Sequence, residues 1–183
     1  MFIIWGKLIR LHRKHLLRPK PCVKVHQYDL ERRNTVGPKA TVQALMDAIQ
    51  KGDFVRAKSL LSTDFQFSWS VSEPINAEAW LEMSMNLKRA FPNLEYHFRV
   101  ESVQSEGVVK ISSELRATHR GDLDLTSLDM GVIPATNKSF AAPREHSKMI
   151  VADDKVASWA VRPAKGAGLM VILDQLGVQL PNL

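Results

Sequence analysis

Two side chains have the type and setting to do chemistry, His119 and Glu145, and Ser147 lies beside the second. Successive residues of a strand face opposite sides. In "VVKISSELRATHRG", Val109, Ile111, Ser113, Leu115, Ala117 and His119 therefore share one side, while Lys110, Glu114 and Arg116 project from the other. The first side is mostly apolar, so His119 points with the core face at the end of a strand. In "APREHSKMIV", the same parity puts Glu145 and Ser147 on a face with Met149 and Val151. A carboxyl group on an apolar face has its pKa raised by desolvation, which suits a proton shuttle near neutral pH. His119 and Glu145 would then form an acid–base pair acting beside a carbonyl. The plainer alternatives are a histidine satisfied by backbone or water at a rim, and a glutamate solvated at the frayed start of its strand.

The elements that must position these groups follow from hydrophobic period. "TVQALMDAIQKGDFVRAKSLL" places Val42, Leu45, Met46, Ile49, Phe54, Ala57 and Leu60 at helical spacings, and Lys51-Gly52-Asp53 interrupts them. That predicts two helices joined at a glycine cap. "STDFQFSWS" alternates, with Phe65, Phe67 and Trp69 on one face. "NAEAWLEMSMNLKRAFPNL" returns to helical spacing, with Trp80, Met83, Leu87 and Phe91 as its stripe and Pro92 ending it. Strands follow. Ser105-Glu106-Gly107 and Asp153-Asp154 mark two hairpins, and "GLMVILDQLGVQL" predicts a short helix ending at Gly177. Helices first and an antiparallel meander later is an α+β order.

Charge divides the chain. Residues 1–40 hold ten Lys or Arg against Asp29 and Glu31, whereas residues 41–183 hold fifteen basic and seventeen acidic groups. A nearly neutral body gives no electrostatic reason to expect nucleic acid binding. The chain therefore divides into a basic arm, residues 1–37, and a globular domain, residues 38–183. The arm reads as a mobile leader outside the fold, as an amphipathic helix resting on an anionic membrane, or as an organelle transit peptide. Its apolar opening, Phe2 to Trp5, is too short to span a bilayer. Cys22 is the only cysteine, which excludes internal disulfides and a cysteine-rich zinc site. This fits a reducing, cytoplasmic location, with organelle targeting or peripheral membrane contact through the arm as the alternative. Asp122, Asp124 and Asp129 lack the regular oxygen ligands of a calcium loop or a paired histidine, so no metal is expected. Gly166-Ala167-Gly168 is too short for a nucleotide-binding loop.

The run "AFPNL", the segment "THRGDLDL", the loop "MGVIPATNKSF", the hairpin "MIVADDKV" and the ending "DQLGVQLP" together resemble the SnoaL-like polyketide cyclase family over about residues 40–181. The resemblance implies a nuclear transport factor 2-like (cystatin-like roll) fold: a curved antiparallel sheet closed by N-terminal helices into a cone. It also implies homodimers paired through the outer face of the sheet. Such cyclases are understood to use an aspartate on the late strand. Here Glu145 or Ser147 stands in that region, and glutamate could do the same work whereas serine could not.

Phe67, Trp69, Trp80, Met83, Phe91 and Trp159, with Ser147, are the expected walls of a pocket for a flat hydrophobic small molecule. A packed core without a cavity would use the same aromatics. Two functions follow. One is cofactor-independent proton transfer, as in aldol cyclisation or isomerisation, by His119 and Glu145. The other is non-catalytic binding of a hydrophobic small molecule or protein partner.

Overall fold

A computed structural model describes residues 36–69 and 73–178. The expectations for the basic arm fall on residues 1–35, outside the described residues. Four helices and ten strands follow in chain order: α1 Pro38–Lys51, α2 Phe54–Ser59, β1 Leu61–Trp69, β2 Ile75–Asn76, α3 Ala77–Ala90, β3 Arg99–Val103, β4 Val108–Ser113, β5 Arg116–Thr118, β6 Leu123–Asp124, β7 Val132–Ile133, β8 Ser139–Ala141, β9 Glu145–Ala152, β10 Lys155–Arg162 and α4 Leu169–Gln175. Among these described elements no helix is long and apolar enough to cross a membrane.

Local chemistry accounts for the helix ends. Gly52 takes the left-handed conformation with φ 74° and caps α1, as its place in the sequence predicts. Asp53 then accepts the Arg56 N–H at 2.9 Å to start α2, and Asn76 accepts the Ala79 N–H at 3.0 Å to start α3. Gly177, with φ 70°, follows α4 at the predicted stop. The apolar stripe of α1 (Val42, Leu45, Met46 and Ile49) is buried against β3, β4, β9 and β10. Burying each large side chain contributes about 1.5–3 kcal/mol.

The main sheet has six strands in the order β2-β1-β10-β9-β4-β3. Its pairs are antiparallel except β1 with β10, which run parallel. Register shifts occur in β1, in the β9–β10 hairpin and in the β3–β4 hairpin. Bulges of this kind bend strands and strengthen their twist, which curves the sheet. The result is α+β, and the sheet is not closed on itself: β2 and β3 form its two edges. Both predicted hairpins are present. The Gly107 turn requires glycine, because its φ is 75° and a Cβ there would collide with the Val151 carbonyl.

One strand departs from expectation. "VVKISSELRATHRG" is not a single strand. It breaks after Ser113, and β5 pairs with β8 in a separate two-stranded sheet. At the break the Glu114 N–H donates to the Tyr96 carbonyl, and Glu95 and Arg116 exchange both backbone bonds. The inward parity continues, with Ala117 and His119 buried and Arg116 exposed, but the chain changes sheets between Ser113 and Arg116, so His119 does not share a sheet with Val109 and Ile111. The interior divides accordingly. One cluster lies between α1, α3 and the main sheet. A second gathers Phe91, Leu94, Ala117, Leu123, Ile133, Phe140, Leu173 and Leu176.

Candidate functional site

Strand β9 sets the site's polar groups. Glu145, Ser147, Met149 and Val151 are buried and alternate with exposed His146 and Lys148, as parity predicts. Across β9, Ser147 stands opposite Ile111 on β4 and Val161 on β10, and Glu145 stands opposite Ser113. Val161 is in turn opposite Trp69 on β1, while Trp159 is opposite both Met149 and Phe67. Val161 therefore lies at the centre of a group formed by Ser147, Trp69 and Trp159. Glu145 occupies the diagonal position, within the reach of cross-strand neighbours.

Aromatic rings build the rest of this inner face. Trp159 meets Phe67 edge to face, with centroids 5.7 Å apart at 89°. Trp80 comes from α3 and lies 5.7 Å from Trp159, 6.3 Å from Phe67 and 5.6 Å from Phe65. Met83, one turn on, packs half-buried against the same cluster. Such pairs favour edge-on or offset geometry because the ring faces are negative and the edges positive. Phe67, Trp69 and Val161 stay half-buried, so the face is not sealed.

The carboxyl group of Glu145 accepts a hydrogen bond from the Trp69 side chain. Its Oε1 is buried and has no partner among the described residues. Burial pushes the carboxyl above its ordinary value, and the Trp69 bond opposes that rise. A carboxylate so placed is a stronger base than one in water. The Oγ of Ser147 and the Nε1 of Trp159 share its condition: each is buried and unpartnered among the described residues.

His119 is placed elsewhere. It directly follows β5 in the second cluster, stacked obliquely on Phe91 with centroids 5.1 Å apart, and Phe91 meets Phe140 edge to face at 5.3 Å. Its backbone bonds to both Asn137 and Lys138, and its Nδ1 accepts the Thr136 N–H at 3.3 Å. That bond requires a neutral ring with its proton on Nε2, an atom that is buried and unpartnered among the described residues. Burial lowers the pKa of His119, against smaller opposing effects of Asp122 and the Gly121 backbone. The expected pairing of His119 with Glu145 assumed an uninterrupted strand. The two are instead held by different sheets: Glu145 opens β9 of the main sheet, while His119 follows β5 of the two-stranded sheet and stacks on Phe91.

Of the expected pocket residues, the structure brings together Phe67, Trp69, Trp80, Met83, Ser147 and Trp159. Two aromatics were missed. Tyr96 and Phe98 stack at 4.9 Å and 7°, and Phe98 lies 6.1 Å from Trp159. Burial raises the Tyr96 phenol pKa. Alternation in "EYHFRV" was the available signal, since Tyr96, Phe98 and Val100 share a parity. Among the described residues no cluster of His, Cys, Asp or Glu is arranged to hold a metal ion.

No protein-family model and no curated protein sequence matches this chain. Solved structures do. AclR from Streptomyces galilaeus, assigned as a hydroxylase, is 20% identical, with a TM-score of 0.60 over 80% of this chain and 83% of that one. IdmH from Streptomyces antibioticus, assigned as a polyketide cyclase, is also 20% identical, with a TM-score of 0.58 over 77% of this chain and 99% of that one. A protein assigned as a SnoaL-like polyketide cyclase from a Jannaschia species is 20% identical, with a TM-score of 0.54 over 68% of this chain and 83% of that one. At this identity the likeness is one of fold, and fold is shared by many chemistries. The chain has the fold of the SnoaL-like polyketide cyclases, within the nuclear transport factor 2-like class.

Proposed function

We propose that the inner face of the sheet binds a flat hydrophobic small molecule and that Glu145 moves a proton next to its carbonyl, without a cofactor. The supporting observation is the carboxyl of Glu145, buried beside Trp69 with Oε1 unpartnered among the described residues. Desolvation strengthens it as a base, and the Trp69 bond fixes its orientation. Proton abstraction beside a carbonyl is the step common to aldol cyclisation and isomerisation. Several fold neighbours are assigned as polyketide cyclases, which is in keeping with this reaction class.

The test uses 2-tetralone, a planar-ring ketone with enolisable C–H bonds, in deuterated water. NMR should detect exchange of its α-protons faster than in buffer, and Glu145→Gln should slow the enzymatic part roughly 10²–10⁴-fold. A second reading has its own support. Where the resemblance calls for an aspartate, Ser147 or Glu145 stands, and serine cannot act as the base. Quenching of tryptophan emission by tetralone without catalysed exchange would favour a binding protein. Equal exchange in wild type and Glu145→Gln would remove Glu145 from the chemistry.

A further inference from the structure

Trp159 and Ser147 are 6% and 7% exposed, and neither Nε1 nor Oγ has a hydrogen-bond partner among the described residues. Leaving a donor buried and idle costs folding free energy, so two on one face call for an explanation. An indole N–H can only donate, and a serine hydroxyl can donate as well as accept. The register puts both beside Val161, with Ser147 directly across from it and Trp159 two residues before it on β10. Glu145 follows two residues before Ser147 on the same face. Two residues with idle donors thus neighbour, in register, one with an idle acceptor, on a face shared with aromatic and aliphatic side chains, of which Phe67, Trp69 and Val161 are only half-buried. The matching ligand presents an oxygen that accepts two hydrogen bonds, next to a hydrogen that a carboxylate can take.

We propose that Trp159 Nε1–H and Ser147 Oγ–H form a seat for the ligand's carbonyl oxygen, and that the substrate class is a planar ketone or 1,3-dicarbonyl. This rests on the inner face being the ligand pocket. In the reaction, Glu145 Oε1 takes the α-proton and the C–H electron pair becomes a C=C bond. The carbonyl π pair moves onto oxygen, and the resulting enolate oxygen is held by the two donors. Where a C=C bond extends the conjugation, the γ-carbon then takes the proton from Glu145 and the double bond shifts; otherwise the enolate carbon attacks a second carbonyl of the same molecule, whose oxygen takes that proton. In either case the seated oxygen returns to a carbonyl. Charge grows on the seated oxygen during the first step, so these donors hold the transition state more strongly than the ketone.

Paired aromatic probes separate the seat from the pocket. The background is full-length Glu145→Gln, which removes the repelling carboxylate. Naphthalene reports apolar binding, and 2-naphtholate, titrated above its solution pKa, reports the oxygen seat. Naphtholate should bind more tightly than naphthalene. Adding Trp159→Phe should lower the ratio of naphtholate to naphthalene affinity about tenfold, since a charge-assisted bond is lost whereas the smaller ring weakens both probes alike. Ser147→Ala should lower the same ratio with almost no change in packing. A ratio that is equal in all three proteins overturns the seat while leaving the pocket intact. Failure of both probes to bind overturns the pocket reading itself, and the seat with it.

Discussion

Glu145 and His119 are both ionisable groups set among aromatic rings, yet their surroundings ask different things of them. Glu145 opens a strand of the main sheet, takes one hydrogen bond from Trp69, and keeps Oε1 on a face lined by half-covered rings. His119 is fully buried and ties β5 to the segment 136–138 through backbone and ring bonds alike. Burial alone therefore does not mark a reactive group. The useful distinction is what neighbouring polar groups already occupy: the Glu145 face has two idle donors, whereas the Nδ1 of His119 is engaged by its own chain. On the proposed reading Glu145 does the chemistry and His119 holds a corner of the fold.

The largest expected effect is on rate. Glu145→Gln should lower catalysed exchange roughly 10²–10⁴-fold, whereas His119→Ala should leave exchange per folded molecule near the wild-type value. If loss of the histidine abolished exchange in a protein that remained folded, the contrast between the two regions would collapse.

Stability should show the reverse order. His119→Ala removes a fully buried ring from between Phe91 and the Thr136 segment, so it should cost about 2–4 kcal/mol in urea unfolding. Glu145→Gln keeps shape and removes a desolvated charge, so its midpoint should hold or rise. A His119→Ala protein as stable as wild type would show the corner to be loosely packed.

The pH dependences should have opposite signs. The folded pKa of His119 lies below its ordinary 6.5, so the folded state prefers the neutral ring. Its contribution is complete above about 6.5 and is lost as pH falls through the folded value. The folded pKa of Glu145 lies above its ordinary 4.5, so its contribution is complete below about 4.5 and is lost as pH rises through the folded value. Glu145→Gln should therefore gain on wild type toward neutral pH and match it near pH 4. His119→Ala should flatten the wild type's loss below pH 6.5. Parallel unfolding curves across this range would mean that neither group is linked to folding.

The smallest effect is expected from the arm. A chain trimmed to residues 38–183 should melt within a few degrees of the full chain, because the described residues that build both clusters lie beyond 38. Loss of a cooperative transition on trimming would join the arm to one of the two regions.

Local pattern determined much of this protein by itself. The period of α1, the glycine stop at Gly52, the Asn76 start of α3 and the turns at Gly107 and Asp153-Asp154 are each decided by a few adjacent residues. So is the shared face of Glu145, Ser147 and Met149, because alternation is a property of one unbroken strand. Alternation also revealed Phe67 and Trp69, and it could have revealed Tyr96 and Phe98. It fails wherever a strand stops, and stopping is decided by partners distant in sequence. The backbone of Glu114 is claimed by Tyr96 and that of Arg116 by Glu95, so the chain leaves the main sheet there and carries His119 away. The parallel pairing of β1 with β10 is equally non-local, and it alone brings Trp69 opposite Val161. Residue type and parity named Glu145, Ser147 and Trp159; only strand order and register made them neighbours.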